Sequence, residues 1–245
     1  MRDYLLTRRK LLVAAGSGVL GVALVNTVTA CSSDSPETPS AAPASQPEAD
    51  LGGWTRVNMS FVSAYLLIRG DEAAVVDLGV ANSSDQIAEG LKAAGSGWNK
   101  VKHVVITHLH PDHAGGLEGL TADAKPTFYA GEGDAASIIS DREITPVKDG
   151  TDIFGLRVVN TPGHTLGHIS IFDSSLGVLV AGDALRTTGG GLNGSDPANT
   201  ADLAQAAESV RKLATLDVKA ILPGHGAPLT SGAADALHKL ASTIS

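Results

Sequence analysis

Four of the eight histidines in this 245-residue chain fall between residues 103 and 113, and this clustering points to metal chemistry. Residues 108–113 read His-Leu-His-Pro-Asp-His and directly follow an apolar, β-branched run that is typical of a buried strand. Because alternate residues of a strand point the same way, His108 and His110 are predicted to face one metal ion. The turn at Pro111 would direct Asp112 and His113 towards a second position, away from the ion that His108 and His110 face.

Three further residues of ligand type stand in a similar local context, each beside glycine and just after a predicted strand. They are His164 in Thr-Pro-Gly-His, Asp183 in Ala-Gly-Asp and His225 in Pro-Gly-His-Gly. Glycine lets the backbone turn sharply and approach an ion closely. Imidazole and carboxylate together form a ligand set for zinc or iron. The isolated His103 and His238 are expected to be ordinary structural or surface residues.

Strands and helices that could position these residues alternate along 51–245, the segment predicted to fold as one domain. Apolar runs predict strands at 65–69, 73–77, 101–107, 127–130, 156–160, 168–172, 178–181 and 220–222, and helical spacing predicts helices at 84–94, 200–215 and 232–244. This mixture predicts an α/β (α+β) fold, with sheets covered by helices. The Gly-rich segment 186–200 is expected to be irregular, either a mobile substrate loop over the metals or a plain connection. In it, Arg186 could bind a substrate carboxylate.

The five separated motifs resemble those of the metallo-β-lactamase-fold hydrolases, in the glyoxalase II-like subgroup with a dinuclear site. The resemblance covers nearly all of 51–245. It implies an αββα sandwich with the site at one edge between the sheets, and two zinc ions per chain. The implied ligands are His108, His110 and His164 for the first ion, Asp112, His113 and His225 for the second, and Asp183 as the bridge between them.

The activity implied by this resemblance is hydrolysis of a small-molecule ester, thioester, lactone or lactam. A metal-bridging hydroxide would attack a carbonyl whose oxygen is polarised by one metal ion. Asp112 would orient the hydroxide and carry its proton. Asp77, in Val-Val-Asp-Leu-Gly, matches a buried acidic residue of the family that orients the ligand loop. His168 is expected to lie beside the ligands rather than among them.

Other activities of the same fold stay open as alternatives. β-Lactamases of this fold commonly have Cys or Ser where this chain has Asp183, and acyl-homoserine lactonases often have Tyr where it has Arg186. Besides a true β-lactamase, the alternatives are a non-catalytic zinc-binding lipoprotein and a mononuclear iron oxygenase of the persulfide dioxygenase type. An iron oxygenase of this type would hold one Fe²⁺ at the positions of His108, His164 and Asp183. The complete second ligand set argues against it.

Residues 1–50 are expected to form a targeting segment and a tether. Residues 1–30 predict a twin-arginine signal peptide, since Arg8 and Arg9 precede a mostly apolar stretch. Val28-Thr29-Ala30-Cys31 resembles a lipobox, in which Cys31 is lipidated. Residues 31–50 are rich in Pro and Ser and lack large apolar residues, which predicts a disordered tether. The protein would then be exported and lipid-anchored to the cell membrane, facing the periplasm or the exterior. An uncleaved membrane anchor is the alternative.

Charge and cysteine content exclude other classes. The formal net charge is −8, and removal of the basic first segment makes the remainder more acidic. An acidic surface repels phosphate backbones, so a nucleic-acid partner is not expected. With one cysteine, the chain cannot form an internal disulfide. The expected partners are a small-molecule substrate and a membrane, and the sequence identifies no protein partner.

Overall fold

The structure, a computed structural model, describes residues 51–120 and 124–244. The predictions for the signal peptide, Cys31 and the tether lie outside these residues. In the described part, two β-sheets pack face to face and helices cover the outer face of each. This is the αββα sandwich that was predicted. No helix in the described ranges has both the length and the apolar surface needed to cross a bilayer.

The first sheet contains six strands in chain order. They are β1 (Trp54–Met59), β2 (Val62–Arg69), β3 (Glu72–Val76), β4 (Val101–Ile106), β5 (Thr127–Gly131) and β6 (Ile144–Val147). Strands β1 to β3 pair antiparallel, whereas β3 to β6 run parallel. Parallel strands end at the same edge of a sheet, so the residues that follow β3 and β4 lie near each other.

The second sheet contains five strands in the order β13-β10-β9-β8-β7. They are β7 (Asp152–Ile153), β8 (Leu156–Asn160), β9 (Ile169–Asp173), β10 (Val178–Gly182) and β13 (Ala220–Pro223). Between β10 and β13, the short strands β11 (Leu185–Arg186) and β12 (Asn193–Gly194) pair with each other. The expectation that 186–200 is wholly irregular was therefore wrong, because its glycines form the turn of a small hairpin.

Five helices complete the described fold: α1 (Ser84–Ala93), α2 (Pro111–Ala114), α3 (Glu132–Ala135), α4 (Leu203–Leu213) and α5 (Ala233–Thr243). Helix α1 buries Ile87 and Leu91, one helical turn apart, against the first sheet. Helices α4 and α5 cover the second sheet. Strands between two such layers are buried on both faces, as Leu66 and Leu67 in β2 illustrate. Because apolar side chains fill the space between the layers, the polar candidate residues lie at the ends of the strands.

Candidate metal centre

The seven predicted metal ligands lie at one edge of the sandwich, in loops at strand ends of both sheets. Two follow β4, two lie in α2, one precedes β9, one follows β10 and one follows β13. The structure brings all seven together. Two groups share no residue: a first group of His108, His110 and His164, and a second group of Asp112, His113 and His225. Asp183 forms a further group with one residue of each, His108 and His113.

The first group has the spacing expected of ligands on one ion. Nδ1 of His110 lies 3.0 Å from Nε2 of His108 and 3.0 Å from Nε2 of His164. A tetrahedral zinc ion with bonds of about 2.0–2.1 Å separates its nitrogen ligands by about 3.3 Å. His108 and His164 are buried, and His110 is half-buried.

Asp183 contacts both groups. Its Oδ2 lies 3.2 Å from Nε2 of His225 and 3.4 Å from Nε2 of His164, and its Oδ1 lies 3.1 Å from Nε2 of His113. In the second group, Oδ2 of Asp112 is 3.3 Å from Nε2 of His225 and 3.8 Å from Nε2 of His113. One carboxylate between two ligand sets has the position of a bridging ligand.

Outward hydrogen bonds fix the tautomers of four histidines. The partners of Nδ1 are Thr107 Oγ1 for His108 (3.0 Å), Asp77 Oδ2 for His113 (2.7 Å), Thr200 Oγ1 for His164 (3.3 Å) and Phe61 O for His225 (2.8 Å). The carboxylate and the carbonyl can only accept. Both threonine hydroxyls donate elsewhere, to Asp77 and to the carbonyl of Asp196, so they too accept from the rings. Each ring in its neutral form therefore presents the lone pair of Nε2 to the centre.

Two buried atoms at the centre indicate that a cation belongs there. Nε2 of His113 and Oδ1 of Asp183 are buried and lie 3.1 Å apart, but they are not aligned as a hydrogen bond, and neither has another hydrogen-bond partner among the described residues. An unsatisfied buried polar atom costs about 1–3 kcal/mol. Both atoms are of metal-ligand type, and a divalent ion would satisfy both. The donor set and its spacing thus fit metal ions.

The ionisation of the metal-free site follows from these contacts. Hydrogen bonds to Asp112 and Asp183 raise the pKa of His225 to about 10. Burial alone would lower the pKa of His113, but the charges of Asp77 and Asp183 raise it well above its ordinary value. Burial lowers the pKa of His164 to about 4. Without metal, the second group therefore holds protons, which a metal ion must displace.

Asp77 links strand β4 to the second ligand group. Its Oδ1 accepts from the backbone N–H of Thr107 (2.8 Å), and its Oδ2 accepts from the Thr107 hydroxyl (2.9 Å) and from Nδ1 of His113 (2.7 Å). Asp77 is buried and has a left-handed φ of 63°. Asp77 therefore connects Thr107, just after β4, with His113 of the second group.

His168 lies beside the centre and holds the backbone of the bridging carboxylate. Its Nε2 accepts a hydrogen bond from the backbone N–H of Asp183 (2.9 Å), and its Nδ1 donates to Oγ1 of Thr161 (2.8 Å). Both ring nitrogens are thus engaged, and burial lowers the His168 pKa to about 3, which keeps the ring neutral. With both nitrogens occupied, His168 has no lone pair to offer a metal.

The tip of the β1–β2 hairpin positions His225. The carbonyl of Phe61 accepts from His225, and the two rings stack with centroids 6.1 Å apart. The backbone N–H of Ser63 donates to the carbonyl of Gly224 (2.9 Å), and the buried hydroxyl of Tyr65 donates to the carbonyl of Pro223 (2.8 Å). These bonds join the first sheet to the end of β13.

Close approach of the backbone requires glycine beside two ligands. A Cβ on Gly224 would collide with Oδ1 of Asp183, and a Cβ on Gly182 would lie 2.7 Å from Nε2 of His168. Gly182 also has a φ of 51°, in the left-handed region. The glycines noted in Ala-Gly-Asp and Pro-Gly-His-Gly thus allow the ligand loops to meet.

Comparison with known proteins decides the family. The sequence profile of the Metallo-beta-lactamase superfamily matches residues 57–225, which include all seven candidate ligands. The chain belongs to this superfamily. Among curated relatives, it is 31% identical over 205 residues to "Probable metallo-hydrolase YflN" of Bacillus subtilis, covering 64% of this chain and 76% of that protein. It is 34% identical over 138 residues to a "Hydroxyacylglutathione hydrolase" of Alkalilimnicola ehrlichii, covering 54% and 51%.

Solved structures of the superfamily share the fold. A metallo-beta-lactamase family protein of Thermus thermophilus superposes with a TM-score of 0.62 at 23% identity, over 78% of each chain. At this identity the likeness shows the fold alone. The chain spans about half to two thirds of the length of several curated relatives that it matches.

A cavity of about 540 Å³ opens above the superfamily's metal-binding clusters. Asp112, His225 and Phe61 line one part, and Arg186 and Asp196 line another. Nη1 of Arg186 lies 3.3 Å from Oδ2 of Asp196, and its Nε donates to the carbonyl of Gly194 across the β11–β12 hairpin. Segment 186–200 therefore borders the site, as expected, but its hairpin and ion pair hold Arg186 in place.

Sequence reasoning missed one buried carboxylate, Asp134 in α3. Its Oδ2 accepts from the backbone N–H of Leu109 (3.0 Å) and from the hydroxyl of Thr165 (2.6 Å), and its Oδ1 accepts from the backbone N–H of Gly167 (2.7 Å). Asp134 thus joins the loop of His108 and His110 to the loop of His164. Its neighbours in sequence carry no metal-ligand motif, so no local signal marked it.

The two histidines expected to be ordinary residues take no part in the centre. Nδ1 of His103 lies 3.4 Å from the hydroxyl of Tyr129 on the first sheet. His238, on α5, is hydrogen-bonded through Nε2 to the carbonyl of Ala214 (3.0 Å). Neither ring belongs to a ligand cluster in the described residues.

Proposed function

We propose that the protein is a hydrolase that holds two zinc ions and cleaves a small ester, thioester, lactone or lactam. The observation that carries this proposal is the pair of three-residue ligand clusters, with Asp183 within 3.4 Å of members of both. The names of two relatives, a hydroxyacylglutathione hydrolase and a probable metallo-hydrolase, agree with hydrolytic chemistry.

The chemical role of each group follows from its position. Zinc ions bound at the two clusters would lower the pKa of water and polarise a carbonyl oxygen, which supplies a nucleophile at neutral pH. Asp112 lines the cavity beside His225, so its carboxylate can orient the attacking water, take up its proton and pass it to the leaving group. Arg186, fixed by the β11–β12 hairpin, is the cationic side chain that would bind an anionic group of the substrate.

Export and anchoring belong to the same proposal. The twin-arginine pattern and the lipobox around Cys31 support a lipid-anchored enzyme that works outside the cytoplasm, where it would meet small substrates of the periplasm or the environment. The acidic chain would not take nucleic acid as a substrate.

Metal content and turnover test the proposal together. The full-length protein, purified without added metal, is analysed for metals and assayed with esters, thioesters, lactones and β-lactams. About two zinc ions per chain with turnover is the expected result. His225→Ala should lower the zinc content towards one ion, whereas His238→Ala, a matched histidine away from the site, should leave it unchanged.

Other outcomes would replace or narrow the proposal. About one iron per chain, with oxygen uptake on a persulfide, would identify the iron oxygenase. Turnover of β-lactams alone would keep the zinc hydrolase, narrow its substrates to the lactam class and identify a true β-lactamase. Full zinc loading with no turnover of any compound would indicate a zinc-binding protein without catalysis.

A further inference from the structure

The cavity of about 540 Å³ above the metal clusters, called the reactive cavity here, adjoins a second cavity. The second, of about 450 Å³, shares His110, His164 and Asn199 with the first. A third, of about 400 Å³, shares Leu109 and Ser137 with the second. The two metal-cluster histidines therefore lie between the first and second cavities, and Arg186 lines only the first; the second and third cavities together are called the groove.

Exposed apolar side chains are concentrated along this groove. In the described residues, four large apolar side chains are exposed: Ile139 (88%), Leu166 (76%), Phe61 (59%) and Leu203 (48%). Phe61 lines the first cavity, Leu166 the second and Ile139 the third. Exposed apolar groups that cluster around a cleft usually mark a binding surface, whereas single exposed apolar residues are common and need no function.

Leu166 is held in its exposed position by its neighbours. The hydroxyl of Thr165 and the backbone N–H of Gly167, on either side of Leu166, both donate to the carboxylate of Asp134. The loop cannot turn the leucine inward without breaking these bonds. A fixed apolar side chain in the cavity that adjoins the reactive one suits contact with an apolar ligand.

We infer that the groove over Leu109 and Leu166 binds an aliphatic chain of the substrate, while the polar cavity beside Arg186 receives its other end. The inference rests on the proposed function, since it assigns to the same site an acyl or alkyl ester, thioester or lactone with a straight aliphatic arm. Its occupant is the substrate because the groove shares two metal-cluster histidines with the reactive cavity.

Binding of product-like carboxylates tests this inference without turnover. Calorimetry measures the Kd of straight-chain saturated carboxylates of about four to ten carbons for the zinc-loaded full-length protein. Full burial of a methylene is worth about fourfold in affinity, and an open groove should give about half of that free energy, or about twofold per methylene. The expected tightening across the series is roughly 50-fold.

Two leucine variants locate the effect. Leu166→Ser should remove most of the dependence of Kd on chain length. Leu203→Ser, an exposed leucine that lines none of the three cavities, should keep it. A Kd that does not vary with chain length in the unmodified protein, or an equal loss in both variants, would overturn the inference. So would Leu166→Ser weakening only the binding of phospholipid vesicles, because the leucine would then contact a membrane.

A matching ester series separates this inference from the proposed function. Suppose that p-nitrophenyl esters are hydrolysed at rates that do not vary with chain length, and that the Kd of the carboxylates does not vary either. The proposed hydrolase would then be supported, and the inference about the groove would be overturned. Chain-dependent carboxylate binding with no hydrolysis of any ester, thioester, lactone or lactam would support the groove and overturn the proposed hydrolase.

Discussion

The carboxylate of Asp134 accepts a hydrogen bond from the backbone N–H of Leu109, the residue between His108 and His110. The same carboxylate also holds the loop that carries His164, through Thr165 and Gly167. One buried acidic side chain, outside the ligand clusters, therefore fixes the spacing of three imidazoles that come from different sheets. Groups that orient metal ligands in this way contribute to metal affinity although they do not touch the ion.

Asp134→Asn should weaken the first metal site. An amide has one acceptor oxygen and would turn its NH₂ towards an N–H or O–H donor, so at least one of the three bonds is lost. Loss of such a partner typically costs about 10–100-fold in metal affinity. Zinc competition with a chromophoric chelator measures the change. Asp173→Asn is the matched control, because Asp173 is equally buried, accepts from Trp54 and Arg69, and lies outside the clusters. Equal zinc loss in both variants would contradict the prediction.

Asp112→Asn should lower kcat by about 10²–10⁴-fold, because the amide cannot take up the proton of the attacking water. The side chain is about a quarter exposed (26%), so the variant should keep its fold, which circular dichroism checks. Asp196→Asn, in the same cavity but paired with Arg186, should change KM more than kcat. Near-normal kcat in Asp112→Asn with full zinc content would show that Asp112 does not carry the proton.

The metal-free protein should be most stable near pH 6.5, the ordinary pKa of histidine. His225, with its pKa raised to about 10, keeps a proton that the unfolded chain loses near pH 6.5. Its contribution is therefore fully present below pH 6.5 and is lost as the pH rises through about 10. His164 and His168, with pKa values lowered to about 4 and 3, stay neutral when the unfolded chain takes up protons, so stability also falls below pH 6.5.

Urea unfolding of chelator-treated protein at about pH 5, 6.5 and 9 measures this profile. His225→Ala should reduce the loss of stability on the alkaline side of the profile, where His113 still contributes, and leave the acidic side in place. A stability that rises steadily from pH 6.5 to 9 in the unmodified metal-free protein would contradict the assigned protonation of His225.

Cys31→Ala should release the protein from the membrane fraction. The lipobox pattern predicts that Cys31 carries the lipid, and alanine has no thiol to accept it. Fractionation of cells followed by immunoblotting measures the distribution, with Ser33→Ala as a control two residues away in the predicted tether. Retention of Cys31→Ala in the membrane would instead favour the uncleaved apolar segment as the anchor.

The buried strands of the fold could be predicted because each contains neighbouring apolar residues, such as 104–106 in β4 and 158–159 in β8. Strand β8 spans Leu156–Asn160, the predicted residues, and β4 ends one residue before the predicted position. Strand β1 was missed because polar residues interrupt its apolar ones, although both of its faces contribute to a core, Trp54 to one cluster and Val57 and Met59 to another. Strand β6 was missed because it is short and contains Pro146, which an edge strand tolerates.

The candidate ligands could be predicted because each motif is local, whereas the residues that orient them act across the chain. Asp134 bonds to residues 25 to 33 positions away, and no spacing rule connects them. His168 stood close enough to His164 for its position beside the centre to be expected. Its bond to the backbone of Asp183 depends on the pairing of β9 with β10 and could not be read from the sequence.

The ligands run from His108 on the first sheet to His225 on the second, so the ion-binding site exists only after nearly the whole domain has been synthesised and folded. Should the twin-arginine prediction hold, the chain would cross the membrane already folded. The ion would then be taken up where folding happens, before export. Because ligand affinity alone discriminates poorly among divalent transition metals, the free-metal levels of the cytoplasm, rather than those outside, would decide which element the exported protein carries.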